Sequence, residues 1–545
     1  MASRVIKCLF LSIFCSLAVL QAHSQQYDST AIPKDWHLKD PETDHVQGIS
    51  AEKAYQTLLK GQPSRTVIVA IIDSGIDIDH EDLRSVIWTN EGEIPDNGID
   101  DDNNGYIDDV HGWNFIGGKD GNVNQDTDEL TRTYVKLKKQ FEGVDEKKIP
   151  KKEREAYQDY LKVKDKFEKL LAKNKEQYEL YHGLYQNVRA SVDTLKALLM
   201  TDTLSQELVQ GFESSEPNLL FAKGFVLNIY RNIGPDNSME EFLSQLKEAA
   251  DHFQQVVDYG YNENFDPRPI VGDNFSDPYE KGYGNNDVKG PDPMHGTHVA
   301  GIIAADRNNG IGIKGIADNV KVMSVRAVPN GDERDKDVAN AILYAVDNGA
   351  QVINMSFGKS LSPRKEVVDK AVKYAMQKGV LLVHAAGNES ENTDVEKNFP
   401  TRYYLDGSEA KAWLEVGASS WGADKDLVGS FSNYGKKSVD LFAPGVKIYS
   451  TLPHNEYKEM DGTSMASPVA AGVAAVIMSY FPRLSALEVR EIIRQSTRKF
   501  DHLKTTLPGG GGEVEFSELS STGGLVNLYE AIKLAQETQN KKLVK

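Results

Sequence analysis

Thr66-Val67-Ile68-Val69-Ala70-Ile71-Ile72-Asp73-Ser74-Gly75 is a continuous apolar run, rich in β-branched residues, that ends on an acidic residue and a glycine. Such a run has no polar face to turn to water. It reads as a strand buried on both sides, as in a parallel sheet. Gly75 allows a sharp turn where the strand ends. In open α/β sheets, sites gather outside the carboxyl ends of the strands, so Asp73 is a candidate functional residue.

Outward from this strand, the pattern beyond residue 295 alternates. Helical spacing is read over Thr297–Ala305 and a strand over Val320–Arg326. A helix follows at Lys336–Asn348, stopped by Gly349, then a strand at Gln351–Met355. Next come a helix at Pro363–Lys378, ended by Gly379, and a strand at Val380–Ala385. Ser464–Tyr480 reads as a helix ended near Pro482. Helices at Ala486–Ser496 and Val526–Gln536 are joined by the glycine-rich loop Gly509–Gly512. A short helix is expected around Ala51–Leu59. Strands alternating with helices predict an α/β fold: a parallel sheet with helices on both faces.

The chain has 545 residues, 40% of them hydrophobic and 26% charged, with a formal charge of −19. That acidity argues against nucleic acid as a partner and is compatible with bound calcium. Arg4 and Lys7 precede an apolar run from Cys8 to Leu20, and Ala22 and Ser24 suit cleavage before Gln25. Residues 1–24 therefore read as a signal peptide, and the protein as secreted or periplasmic. No later stretch reaches about 18 apolar residues, so no membrane span is expected in the mature chain. Both cysteines, Cys8 and Cys15, fall in the leader, which leaves the mature chain without disulfide or thiol chemistry.

Residues 25–60 form a polar entry segment. Residues 61–116 and 267–537 carry the α/β pattern, and 538–545 a short tail. Residues 117–266 differ in character, being rich in Lys, Glu, Gln and Tyr. From Lys151 to Leu199 apolar residues recur at steps of three and four, among them Tyr160, Leu161, Phe167, Leu170, Tyr181, Val188, Val192 and Leu195. This is an amphipathic helix pattern. One helix of that length would run roughly 70 Å, and Asn174 and Gly183 equally allow a hairpin of two. The block is expected to be an inserted all-helical subdomain, acting as a packed structural insert or as a lid or partner-docking arm.

Three further segments carry candidate chemistry. His295-Gly296-Thr297-His298-Val299-Ala300-Gly301 opens a helix of small residues. His295, at its start, can approach a nucleophile, and His298, one turn on, is expected to pack against the sheet. Ala385-Ala386-Gly387-Asn388 ends a strand, where an Asn amide can donate to an oxyanion. Gly462-Thr463-Ser464-Met465-Ala466-Ser467-Pro468 opens the helix to Tyr480. A lone Ser there would be a cap. Here small neighbours admit a peptide, and the helix N-terminus offers free N–H groups. Gly-x-Ser-x-Gly with a His after the Ser, as in lipases, is absent. The order Asp, His, Ser is one of three known for a serine triad.

Asp73-Ser74-Gly75, His295–Gly301 and Gly462–Pro468 resemble the three signatures of the subtilisin-like serine proteases, the subtilases, nearly without departure. The resemblance covers about Gly61–Phe115 and Asn274–Glu537, and leaves out the helical block. It implies a subtilisin-like fold and a secreted serine endopeptidase in which Ser464 attacks the scissile carbonyl, His295 moves the proton, and Asp73 fixes the imidazole. Asn388 and the Ser464 N–H would form the oxyanion hole. Asn354-Met355-Ser356-Phe357-Gly358 resembles the family segment that pairs with a peptide substrate as an added strand, so Ser356, Phe357 and Gly358, with Ala386 and Gly387, are expected to bind it. The family more often has Leu where Phe357 stands. Partners are then peptides or proteins. A non-catalytic binding protein on the same fold is the competing class, and the complete set of four residues argues against it. The short entry segment leaves little room for the family's folding pro-domain, so the enzyme either folds without one or uses the helical block instead.

Two segments suggest structural calcium. Asp100-Asp101-Asp102-Asn103-Asn104-Gly105-Tyr106-Ile107-Asp108 follows the first nine places of a calcium loop, with Gly at the turn. Asp100, Asp102, Asn104 and Asp108 are its candidate ligands. Position twelve is His111 rather than Glu, which favours a calcium loop without flanking helices. Asn308–Ile313 with Asp82 resembles a stabilising calcium site of subtilisins, one residue longer here, with Asp82, Asn309, Ile311 and Ile313 as ligands.

Overall fold

A computed structural model describes residues 32–234 and 238–543. The expected leader and its cleavage site lie outside the described residues. The chain divides into two units, residues 1–124 with 267–545, and residues 125–266.

In the first unit, helix α1 (Ala51–Gln56) precedes β1 (Val67–Asp73) and β2 (Gly112–Asn114). The second unit holds α2 (Glu129–Phe141), α3 (Arg154–Leu199), α4 (Pro217–Ile233) and α5 (Met239–Gln255). The first unit resumes with α6 (Met294–Ala304), β3 (Val320–Arg326), α7 (Asp335–Asp347), β4 (Val352–Met355), α8 (Lys365–Lys378) and β5 (Leu381–Ala385). Then come β6 (Trp413–Ser419), β7 (Leu441–Pro444), the ribbon β8 (Ile448–Leu452) and β9 (Glu456–Met460), and α9 (Thr463–Tyr480). The chain closes with α10 (Ala486–Gln495), β10 (Arg498–Lys499), β11 (Gly524–Leu525) and α11 (Leu528–Leu543).

The main sheet has nine strands in the order β10-β11-β7-β6-β5-β4-β1-β3-β2. Every pair is parallel except β10 with β11 at one edge. β1 shows why its sequence lacks alternation. Val67, Val69 and Ile71 enter a core shared with α6, α9, α10 and α11, while Ala70 and Ile72 enter a second core shared with α7 and α8. A strand with a helical layer on each face needs apolar side chains on both. Each fully buried Val or Ile contributes about 1.5–3 kcal/mol as an upper estimate.

α9 is the one helix among the described residues long and apolar enough to cross a membrane, and it is 89% buried within the fold. Ala466, Ala470, Ala471, Ala474 and Ala475 keep it thin enough to lie in the core.

The second unit has its own core. α3 is a single unbroken helix of 46 residues, so the hairpin alternative does not occur. Asn174 stays in register by donating to Leu170 O at 2.8 Å. Val188, Val192 and Leu195 of α3 pack with Val226, Ile229 and Tyr230 of α4 and Leu246 of α5. Phe167 stacks on Tyr134 of α2 at a centroid distance of 4.4 Å.

Candidate active site

The parallel register sets several strand ends side by side: Asp73 opposite Arg326, Ile72 opposite Met355, and Met355 opposite His384. Asp73, Ser356 and Ala386 thus emerge along one edge of the sheet, around the point where β1 sits between β4 and β3.

Asp73 is 2% exposed. Its Oδ1 accepts from Ser74 N at 2.7 Å and lies 2.7 Å from His295 Nδ1. His295 occupies the first turn of α6, whose residues after it are small. An added Cβ at Gly296 would fall 2.2 Å from Gly75 O and 3.2 Å from Asp73 Cβ. Only glycine lets the helix approach the strand end so closely, which is what brings imidazole to carboxylate. Burial alone would lower the His295 pKa. The charge and hydrogen bond of Asp73, helped by the charge of Asp292, outweigh it and raise the value above 6.5. His298 is fully buried, and its Nε2 lies 3.0 Å from Lys458 O, so it packs on the β8–β9 ribbon instead of the main sheet. Burial pushes its pKa down to about 4.

Ser464 is the second residue of α9, and α6 and α9 pack together. Its carbonyl would normally accept from the N–H four residues on, but that residue is Pro468. Ser356 Oγ replaces the missing donor at 2.9 Å. Asn354 Nδ2 donates to the same Ser356 Oγ at 3.0 Å, and Ser467 Oγ to Asn354 Oδ1 at 2.8 Å. This buried network ties β4 to α9. Ser464 Oγ itself donates to Ser356 O at 3.1 Å.

Asn388 Oδ1 accepts from both Thr463 N and Thr463 Oγ1 at 2.9 Å, and Gly387 N donates to that same Oγ1 at 3.1 Å. The amide is therefore oriented, and its Nδ2 remains the available donor. Gly462 has φ 155° and ψ 155°, a region for glycine. A Cβ placed there would lie 3.5 Å from Ser464 N and 3.7 Å from Asn388 Nδ2. The space above Gly462 is thus bordered by two donors, an arrangement able to hold an oxyanion. In the sequence Thr463 is only one of the small residues around Ser464. Its role in orienting Asn388 needs the fold to be seen.

Gly358 abuts the Asn398 side chain, which donates to the carbonyls of Ala385 and Ala386 at 3.2 and 3.1 Å. Asn433 Nδ2 also donates to Ala386 O at 2.9 Å. Ser356, Phe357, Gly358, Ala386 and Gly387 thus line the same edge as Ser464 and Asn388.

Of the acidic-loop candidates, Asp100 and Asp102 gather with Glu93, their ligand oxygens all within 4.8 Å of one another. Asn104 donates its amide to Asp102 and Asp109 at 3.1 Å. Both oxygens of Asp108 accept instead from backbone N–H groups of Asn97 and Gly98, at 3.1 and 2.9 Å. Glu93 stands outside the quoted loop, so its spacing carried no signal. Asp82 is fully buried and accepts from Asn309 Nδ2 at 2.7 Å, Ile313 N at 2.9 Å and Tyr457 Oη at 3.4 Å. Ile311 N donates to Asn309 Oδ1 at 3.1 Å.

Residues 64–513 match the model of the family described as the subtilase family. The chain is 38% identical over 300 residues to the thermophilic serine proteinase of Bacillus sp. (strain AK1), covering 53% of this chain and 68% of that protein. It is 39% identical over 200 residues to subtilisin DY of Bacillus licheniformis, covering 36% of this chain and 67% of that protein. It is 37% identical over 245 residues to thermitase of Thermoactinomyces vulgaris, covering 44% of this chain and 75% of that protein.

Proposed function

The chain belongs to the subtilase family and is a serine endopeptidase, and on that premise we propose that it cleaves peptide bonds outside the cytoplasm through an acyl-enzyme on Ser464. Ser464 Oγ attacks the scissile carbonyl as His295 Nε2 takes its proton. Asp73 holds the imidazole by Nδ1 and balances its charge. The oxyanion is held by Ser464 N–H and Asn388 Nδ2. The intermediate collapses, His295 returns the proton to the leaving amine, and a water molecule repeats the cycle to release the acid.

The observation that carries this reading is the 2.7 Å contact from His295 Nδ1 to Asp73 Oδ1, on a helix packed against the one that Ser464 opens. The Ser464 hydroxyl rests on the Ser356 carbonyl. A peptide adding as a strand along Ser356–Gly358 would offer its own N–H to that carbonyl and free the hydroxyl for His295. Phe357 would wall an apolar side-chain pocket. Substrates are peptides or proteins, and the charge of −19 argues against nucleic acid. Export rests on the leader, residues 1–24.

The donor sets suit structural calcium. Glu93, Asp100 and Asp102 offer hard oxygens at one point. Asp82 is a buried carboxylate with no Lys, Arg or His ion pair among the described residues, and Asn309 and the Ile311 and Ile313 carbonyls lie on the loop beside it. Bound there, calcium would hold the loops together.

Hydrolysis of a tetrapeptide anilide tests the reading. Ser464→Ala should lower kcat by about 10⁶, the magnitude known for triad serines in this family. A Ser464→Ala chain that keeps its turnover would contradict it.

A further inference from the structure

β5 carries a polar residue that the chemistry above does not use. His384 is fully buried one place before the strand ends. Strand alternation sets it on the same side as Leu382, the face covered by α7 and α8 and turned away from α9. Its Nδ1 lies 2.8 Å from Glu415 Oε1 on β6, and its Nε2 lies 2.9 Å from the carbonyl oxygen of Phe357. Glu415 is itself buried and fixed. Its Oε2 accepts from Trp413 Nε1 at 2.8 Å, and its backbone N–H donates to Asp440 Oδ2 at 2.9 Å. The imidazole sits between the rings of Trp413 and Phe357, at centroid distances of 5.5 and 6.4 Å.

A carbonyl oxygen only accepts, so Nε2 donates to Phe357. A further proton lies between Nδ1 and Glu415 Oε1, and that bond sets the plane of the ring, as a second partner does for a working histidine. Placing such a pair in a core is costly, and apolar residues at 384 and 415 would fill β5 and β6 without that cost. What the pair contributes in return is control of one backbone group. Phe357 is the middle residue of Ser356–Gly358. In extended chain, successive carbonyls point to opposite edges. Holding the Phe357 carbonyl on the β5 side turns the Ser356 carbonyl the other way, where it meets the Ser464 hydroxyl.

We propose that His384, braced by Glu415, is a positioning residue for peptide binding: it clamps the Phe357 carbonyl so that the backbone of Ser356 and Gly358 faces the incoming substrate strand. The inference rests on the reading of Ser356–Gly358 as the segment a peptide pairs with. Its consequence is selective. A substrate whose backbone pairs with Ser356 and Gly358 depends on this clamp, and one with no N–H or C=O before the scissile acyl group does not.

The test compares the wild-type chain, His384→Leu and His384→Gln, each at a concentration set by fluorophosphonate titration of the active serine. Two substrates are used: a tetrapeptide anilide and an activated ester of a carboxylic acid that carries the same final side chain but no acylamino N–H. His384→Leu should raise KM for the tetrapeptide about tenfold, with kcat and both ester constants within about twofold. His384→Gln retains an N–H donor and should raise KM only about threefold. Equal losses on both substrates, no loss on either, or identical behaviour of the Leu and Gln chains would overturn the proposal. If His384→Leu yields no titratable serine, His384→Gln decides alone: a rise in KM confined to the tetrapeptide supports the clamp, and an equal change on both substrates overturns it. A wild-type chain that is neither labelled nor active would instead overturn the peptidase reading, and the clamp with it.

Discussion

Pro468 removes one N–H from α9, and Ser356 fills the gap by donating to Ser464 O. Ser356→Ala would leave that buried carbonyl unsatisfied and should cost about 1–2 kcal/mol of stability, read by urea unfolding. Asn388→Ala should lower kcat by about 10²–10³ with little change in KM, because its amide meets only a charge that develops in the transition state. As the proposed base, His295 must be neutral to act, and Asp73 raises its pKa above 6.5. The acid limb of kcat/KM should therefore have its midpoint above that value, with activity gained as pH rises through it. A midpoint below it would count against the Asp73–His295 pairing as the determinant. The residues proposed to do the chemistry stand out in the sequence because each sits in a run of small or apolar neighbours. The residues that aim them do not. Thr463, Asn354 and His384 look in the sequence like ordinary members of a helix start and two strands, and only the register that puts Met355 beside His384 gives the last of them a partner.

At the scale of elements, β1, β3, β4 and β5 with α6 to α9 are legible because apolar strand runs alternate with stretches of helical spacing, and Gly349, Gly379 and Pro482 mark several of their ends. β6, β7 and the β8–β9 ribbon, between residues 413 and 460, carry no such signal in the sequence. β6 is buried at every position and β7 spans only Leu441–Pro444, and no helix stands between them to set up the strand–helix alternation that marks β3 to β5. α3 is one helix because nothing at Asn174 or Gly183 forces a turn, and an added Cβ at Gly183 would meet open space. In the acidic loop, the nine-residue pattern pointed to Asp100 and Asp102 but could not find Glu93, which joins them from an earlier turn. If calcium binds there, a chelator should lower the melting temperature of the wild-type chain, and a Glu93→Gln, Asp100→Asn chain should start lower and respond less. An identical response in both chains would place any bound calcium elsewhere.

At the scale of the whole molecule, two buried histidines tie the fold to pH. His37 of the entry segment has no hydrogen-bond partner on either ring nitrogen among the described residues, and burial lowers its pKa to about 4, as it does for His298. Both must stay neutral in the folded chain, while the unfolded chain protonates them near 6.5. Their stabilising effect is complete above that value and is lost as pH falls toward 4, by up to about 3 kcal/mol for each. Guanidinium unfolding at pH 7 and pH 4.5 should show the loss, and His37→Leu should reduce it. The second unit, with its own core around Val188 and Ile229, should be separable. A chain lacking residues 125–266, closed by a short linker, should keep a titratable serine. It should cleave protein substrates faster if the unit is a lid, and at an unchanged rate if it is a structural insert. The central claim is that Asp73, His295 and Ser464 act as one hydrogen-bonded line, and peptide mapping after treatment with a fluorophosphonate tests it most directly. A single adduct on Ser464, absent from His295→Ala and from chain unfolded beforehand, is the predicted result. An adduct on another serine, or labelling of Ser464 that survives His295→Ala undiminished, would contradict it.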